Sequence, residues 1–199
     1  DLNNLELREL AIESVGELGR QFDLIMCTGV LHHMADPDAG LAALRTMLKP
    51  DGAMHLMVYA PYGRAGVYMI QEYCRRLGIG TSEKEMGDLI SVLNVLPEFH
   101  PLLEEQRGSR VFHNHPMTAD EFLNPRDRAY SVPQLFDFIE RNDLRFGRWY
   151  WQAPYLPQCG SFATTPHAQK LAALPEREQY IAMELLRGLM ANHNFVAYR

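Results

Sequence analysis

FDLIMCTGVLHHMADPDAGLAALRTMLKPDGAMHLMVYA, residues 22–60, is the stretch that decides the fold class. Phe22 to Cys27 is apolar apart from Asp23, which predicts a parallel strand covered on both faces. Asp36-Pro37 then opens a helix, with Asp36 as N-cap and Pro37 at the first helical position. Leu41, Leu44 and Leu48 supply its apolar stripe, Pro50-Asp51-Gly52 stops it, and Ala53 to Tyr59 is the next buried strand. Strand, helix, strand is the unit of an open α/β sheet. Ligands of such sheets bind at the carboxyl ends of parallel strands, so Thr28 to His33 and Tyr59 to Arg64 are where chemistry is sought.

Outward from this stretch, Leu5 to Leu10 alternates apolar and charged residues and suits a short edge strand, followed by a brief turn or helix over Glu13 to Leu18. Downstream, Arg64 to Leu77 places Val67, Ile70, Cys74 and Leu77 on one helical side, and Gly78 ends it. Ser82 to Leu96 opens with a capping box from Ser82 to Glu85. Pro97 to Tyr130 has few periodic apolar residues and reads as a short helix followed by a long loop. Ser131 caps a helix over Pro133 to Arg141, and a strand follows at Leu144 to Trp151. After a proline-containing loop, Gln152 to Pro166, a helix from about Pro175 to Met190 leads to a last strand, Asn194 to Tyr198.

The 199 residues suffice for one sizeable domain, and 47% hydrophobic with 22% charged is ordinary for a globular chain. A formal net charge of -6 has the wrong sign for bulk attraction to nucleic acid. Cys27, Cys74 and Cys159 are odd in number and far apart, which suggests neither a disulfide framework nor a thiolate metal site, and a cytoplasmic setting is the simplest expectation. No apolar run approaches the roughly 20 residues of a spanning helix, so no membrane partner is expected.

FDLIMCTGVLHHMADPDAGL followed by LKPDGAMHLMVYA resembles the second half of a class I S-adenosylmethionine-dependent methyltransferase, of the kind that acts on small molecules. The phrase pair matches that family's fourth strand, its loop and helix, and then the turn and fifth strand. The ending, with strands Leu144 to Trp151 and Asn194 to Tyr198, resembles the family's sixth and seventh strands. The resemblance implies a Rossmann-like α/β sheet in the order 3-2-1-4-5-7-6 with the last strand antiparallel. Here strands 3 to 7 would be present, with Leu5 to Leu10 as the third, and strands 1 and 2 missing. It implies one N-terminally truncated domain over residues 1–199, with a helical and loop insertion, residues 78–130, covering the substrate.

The family's Gly-rich cofactor loop and the acidic residue after its second strand have no counterpart in this sequence. Gly78-Ile79-Gly80 follows a helix and reads as its terminator. The fourth strand would then keep an open edge, and the expectation is a natural polypeptide longer at its N-terminus, whose remainder is a partner of this chain.

The resemblance further implies S-adenosyl-L-methionine as cofactor, held by Thr28, Gly29, Val30 and His33 after the fourth strand and by Leu10, Ala11 and Ile12 after the third. Glycine permits close backbone approach at Gly29, whereas Ala11 stands where the family often has proline. His33 is the candidate catalytic base, since adjacent side chains seldom point the same way and an imidazole near neutrality can accept a proton. A packing histidine is the competing reading. His32, His33 and Asp36 lack a fourth ligand for a metal site, and His113-Asn114-His115 reads as a solvated loop. Tyr59, Tyr62 and Arg64 are substrate-binding candidates at the mouth, with Arg64 suited to a carboxylate or phosphate or else merely starting a helix. Trp149, Tyr150, Trp151 and Tyr155 either wall an apolar substrate or belong to the core.

The leading function is methyl transfer to a small-molecule acceptor, with no nucleic acid or metal involved and oligomerisation left open. The alternatives are a degenerate domain acting as a binding or dimerisation module, and another Rossmann-like enzyme using a nicotinamide cofactor.

Overall fold

The computed structural model describes residues 3–105 and 114–199, the side chains of residues 104 and 105 excepted. Four strands make one mixed sheet: β1 (Phe22–Thr28), β2 (Leu48–Tyr59), β3 (Arg145–Trp149) and β4 (Asn192–Tyr198), in the spatial order β1-β2-β4-β3. β1 and β2 are parallel, while β4 runs antiparallel to both β2 and β3. The carboxyl ends of β1, β2 and β3 and the amino end of β4 therefore share one end of the sheet. Everything chemical described below sits at that end.

The first helix, α1 (Pro37–Thr46), starts as the sequence predicts: the Asp36 carboxylate accepts the Ala39 N–H at 3.0 Å and Pro37 occupies the first turn. It ends earlier than expected. Met47 is its C-cap, and Leu48 to Gly52 already belong to β2, where the register with β1 slips between the Phe22–Leu48 and Leu24–Ala53 pairs. The irregularity accommodates Pro50, which has no N–H for a ladder. It is pinned by the Lys49–Asp23 ion pair at 2.8 Å.

Three further expectations are corrected. Leu5 to Leu10 forms no strand: the segment pairs with none of the four strands and leaves Leu5 and Leu7 exposed. The sheet of the described residues thus has four strands rather than five. β1 is not covered on both faces; Leu24 is 57% and Met26 66% exposed, and β2 is the only described strand that pairs with it. Finally, the long loop expected before Tyr130 contains a helix, His115–Leu123, whose apolar Phe122 is buried.

After β2 come α2 (Ala65–Leu77), α3 (Glu83–Leu93), α4 (Pro101–Glu105) and α5 (His115–Leu123). Gly78 ends α2 in the left-handed conformation at φ 63°. Ser82 caps α3 through the Glu85 N–H. Val67, Ile70, Cys74, Met86, Leu89, Leu93, Leu102 and Phe122 form a core of their own among these helices. The larger core joins the sheet to α1 and to α6 (Val132–Arg141), and includes Leu31, Leu41, Leu56, Phe138, Trp149 and Phe195. Ser131 and Gln134 make a reciprocal capping box at the start of α6. A short α7 (Ala168–Ala172) and α8 (Glu176–Arg187) complete the chain, with Arg177 pairing Asp137 and Glu140 to dock α8 on α6. Among the described residues no helix is long and apolar enough to cross a membrane, and no group of three metal-ligating side chains comes together.

Candidate functional site

At the carboxyl end of β1 the chain turns through Thr28, Gly29 and Val30 into a 3₁₀ turn, Leu31–His33. Gly29 has φ 76°, a conformation that side chains disfavour, and its N–H donates to the Met57 carbonyl at 3.3 Å. A Cβ at Gly29 would meet nothing closer than the Met57 methyl at 3.6 Å, so the glycine is there for its dihedral angle and for the bare backbone it presents. Thr28 and Val30 flank it, both exposed. This leaves an open backbone turn with a hydroxyl on one side and an apolar side chain on the other.

The two histidines separate. His32 is completely buried, its ring stacked 3.8 Å from Tyr59, and neither ring nitrogen has a hydrogen-bond partner among the described residues. Burial, with the His33 and Arg64 charges beside it, lowers its pKa to about 3, so it is a neutral packing group. His33 is half-buried, and its Nδ1 lies 3.2 Å from both the Arg126 carbonyl and the Asn124 amide nitrogen. One tautomer donates to the carbonyl and the other accepts from the amide. The ring therefore has a held orientation with two available protonation patterns.

Tyr59 ends β2, and burial raises its phenol pKa. The Arg64 guanidinium lies 3.6 Å from the centre of its ring. Arg64 itself is buried at 4% exposure and paired with Glu121 at 2.9 Å and Asp127 at 3.0 Å, while Gln71 also donates to Asp127 at 2.7 Å. Burial pushes the Glu121 carboxyl above its ordinary range, with the Arg64 charge opposing that shift. Tyr62 stands exposed on the turn beyond Tyr59.

The structure thus brings His33, Tyr59 and Arg64 together and adds residues that sequence reasoning missed. Asn124, Arg126, Glu121 and Asp127 all reach this end of the sheet from α5 and the loop after it. Tyr130 N–H donates to the Tyr59 carbonyl at 2.8 Å and fastens that loop to β2. The only signal in the sequence was the polar Asn124-Pro125-Arg126-Asp127-Arg128 run, which carries no spacing motif. Leu10 is half-buried, Ala11 is exposed, and Ile12 opens a 3₁₀ turn, Ile12–Leu18, and packs on the main core. His113 lies outside the described residues, and His115 is the first residue of α5.

The aromatic residues after β3 divide between the two readings. Trp149 and Tyr155 are core, stacked 3.7 Å apart and 5° from parallel, whereas Tyr150 and Trp151 are exposed. Beneath them lies a buried chain of hydrogen bonds unforeseen from sequence. Tyr155 Oη is 2.6 Å from His193 Nδ1, His193 Nε2 is 3.1 Å from Glu184 Oε1, and Glu184 Oε2 accepts the Val132 N–H at 2.8 Å. Burial, helped by the Glu184 charge, raises the Tyr155 pKa, so the phenol keeps its proton.

Residues 1–54 match a family described as a methyltransferase domain. An uncharacterised protein of a Synechococcus species is 32% identical over 203 residues, covering 97% of this chain and 48% of the relative. A tRNA U34 carboxymethyltransferase of Campylobacter concisus is 37% identical over 54 residues, 27% of this chain and 19% of that protein. Among solved structures, PKMT2 from Rickettsia typhi superposes with a TM-score of 0.75 at 19% identity, covering all of this chain and 39% of PKMT2. The same protein in complex with AdoHcy gives 0.74 at 20% identity, covering 99% of this chain and 40% of that one. The chain spans about half the length of the Synechococcus relative and about two fifths of PKMT2.

Proposed function

Because residues 1–54 match a methyltransferase-domain family and the fold around them is shared with PKMT2, we propose that this chain is part of a class I methyltransferase that transfers a methyl group from S-adenosylmethionine to a small-molecule acceptor. The observation that carries the reading is the Thr28–Val30 turn. It is an open, glycine-containing turn at the carboxyl end of a parallel strand pair, inside the segment that matches the family. Its bare backbone, the Thr28 hydroxyl and the apolar Val30 suit a ligand that is part polar and part apolar. AdoHcy, bound by PKMT2, is the product that S-adenosylmethionine leaves after giving up its methyl group.

When bound, S-adenosylmethionine supplies an electrophilic methyl group on a sulfonium. This chain's residues do the rest. Thr28, Gly29 and Val30 hold the cofactor against β1, with Leu10, Ala11 and Ile12 as the apolar lining of its adenine end. His33, held by Asn124 and the Arg126 carbonyl, accepts a proton from an acceptor that arrives protonated. Tyr59 and Tyr62 orient that acceptor, and Arg64, braced by Glu121 and Asp127, fixes the mouth. Helices α3 to α5 form its cover. Positioning and exclusion of water carry the rate of such a transfer, so the shape of this end of the sheet matters more than any single base.

In the same reading β1, β2, β3 and β4 stand for the family's strands 4, 5, 6 and 7, and residues upstream of this chain pair with the bare edge of β1. The place of β1 at the end of the strand order, with one edge unpaired among the described residues, supports that pairing. A non-catalytic module has less in its favour, since the segment that matches the family contains the cofactor turn.

Calorimetric titration of the full-length polypeptide with AdoHcy and with NAD tests this. Binding of AdoHcy, lost at least about 10-fold in Gly29→Val because a β-branched residue strains a positive φ, is the expected result. Binding of NAD in place of AdoHcy overturns it.

A further inference from the structure

A cavity of about 650 Å³ has no part in the reading above. It lies where β3 ends and β4 begins, at the same end of the sheet as the Thr28–Val30 turn. Its volume is that of a small-molecule site. Trp151, Pro154, Leu189 and Met190 give it apolar walls, and Arg187 and Asn194 give it polar ones.

The walls are built. The Met190 and Ala191 carbonyls accept the Gly63 and Ala60 N–H groups at 3.1 and 3.0 Å, which ties the cavity to the turn after β2. A Cβ on Gly63 would fall 2.3 Å from the Met190 carbonyl carbon, so that turn is pressed directly against the wall. Asn194 donates its amide to Asn192 at 2.7 Å. Tyr155, which also lines the cavity, is locked from behind by His193 and Glu184.

Arg187 is the anomalous member. Among the described residues it forms no ion pair, its Nε is buried without a hydrogen-bond partner, and its one bond is a long donation to the Cys159 carbonyl at 3.4 Å. Arg64, by contrast, is paired with two carboxylates. A planar cation with spare donors, set in an apolar cavity, is suited to pair a carboxylate. Among the described residues no second cation lines the cavity, which favours a single negative charge over a phosphate dianion. Trp151, 67% exposed at its edge, offers a flat apolar face.

We propose that this cavity binds a flat apolar molecule bearing a carboxylate, with Arg187 pairing the carboxylate and Trp151 covering the ring. Resting on the methyl-transfer reading, that molecule is the acceptor.

The test is calorimetric titration of the full-length polypeptide, without donor, with 1-naphthoate and with 1-naphthamide, which differ in charge and little in shape. The naphthoate is expected to bind at least about 10-fold tighter, as a charge-assisted hydrogen bond provides. Arg187→Met should abolish the preference and Arg187→Lys restore part of it. Leu189→Glu, on a residue 76% exposed at the rim, should weaken naphthoate and spare naphthamide, and it keeps the test open should Arg187→Met fold poorly. Equal affinity for the two probes, no binding of either, or a preference that survives Arg187→Met overturns the proposal. The AdoHcy titration separates the two ideas. Naphthoate preference without AdoHcy binding removes the acceptor assignment and keeps the cavity, and AdoHcy binding without naphthoate preference removes the cavity.

Discussion

Glu184 is the residue at which this structure is most open to refutation. It is 1% exposed and serves two donors at once: the Val132 N–H at 2.8 Å and the His193 Nε2–H at 3.1 Å. Replacing it with methionine keeps the bulk and removes both acceptors. Each buried donor left unpaired costs about 1–3 kcal/mol, so Glu184→Met should lose about 2–6 kcal/mol of stability. Glutamine behaves differently. Its carbonyl still accepts from Val132, and its amide donates to His193 Nε2 once the imidazole moves its proton to Nδ1, where the Tyr155 oxygen receives it. What Glu184→Gln loses is chiefly charge assistance, about 1–2 kcal/mol. Urea unfolding followed by far-ultraviolet circular dichroism and by fluorescence measures both. With a slope of about 2 kcal/mol per molar, a 4 kcal/mol loss moves the midpoint by about 2 M. Trp149, stacked on Tyr155, reports whether the chain of bonds has rearranged. If glutamine costs as much as methionine, or if both variants stay within about 1 kcal/mol of the parent, the bonded chain from Val132 to Tyr155 is not what joins α6, α8 and β4.

The buried His32 makes stability depend on acid. Its pKa is lowered from 6.5 to about 3, so its contribution is complete above about pH 6.5 and is lost as pH falls toward 3; His32→Leu should therefore unfold less readily than the parent at pH 4.5, by about 2 kcal/mol, with little difference at pH 8, and parallel pH profiles of thermal melting would contradict this. Two of the helical glycines should respond oppositely to alanine. At Gly66 a Cβ would lie 2.1 Å from the Leu102 nitrogen, so Gly66→Ala should cost about 1–3 kcal/mol or more, whereas Gly87 in α3 has open space around it and Gly87→Ala should raise the melting temperature; equal responses would show that α2 and α4 do not meet at Gly66.

Local chemistry made the elements legible. Asp36-Pro37, Ser131 and Gly78 mark helix ends through bonds and dihedral angles that involve only the next few residues, and the structure places all three as read. The strand-helix-strand run from Phe22 was equally legible because its periods are local, although the irregular register at Pro50 was not: it depends on which residue of β1 stands opposite. The strand expected at Leu5 to Leu10 was misjudged for a related reason, since alternation describes a face and a strand also needs a neighbour.

Legible in the residues alone, then, are the α/β class, the likeness to class I methyltransferases, and the glycine turn after the first long strand. Only the tertiary structure decided which of two adjacent histidines is core, that Arg64 is already matched by Glu121 and Asp127, and that Arg187 is not matched among the described residues. The same holds for Tyr155, His193 and Glu184, which come from three separate elements. The physical reason is that secondary structure follows from side chains a turn apart, whereas the charge balance and burial of a group are set by residues tens of positions away that the fold alone brings within about 3 Å.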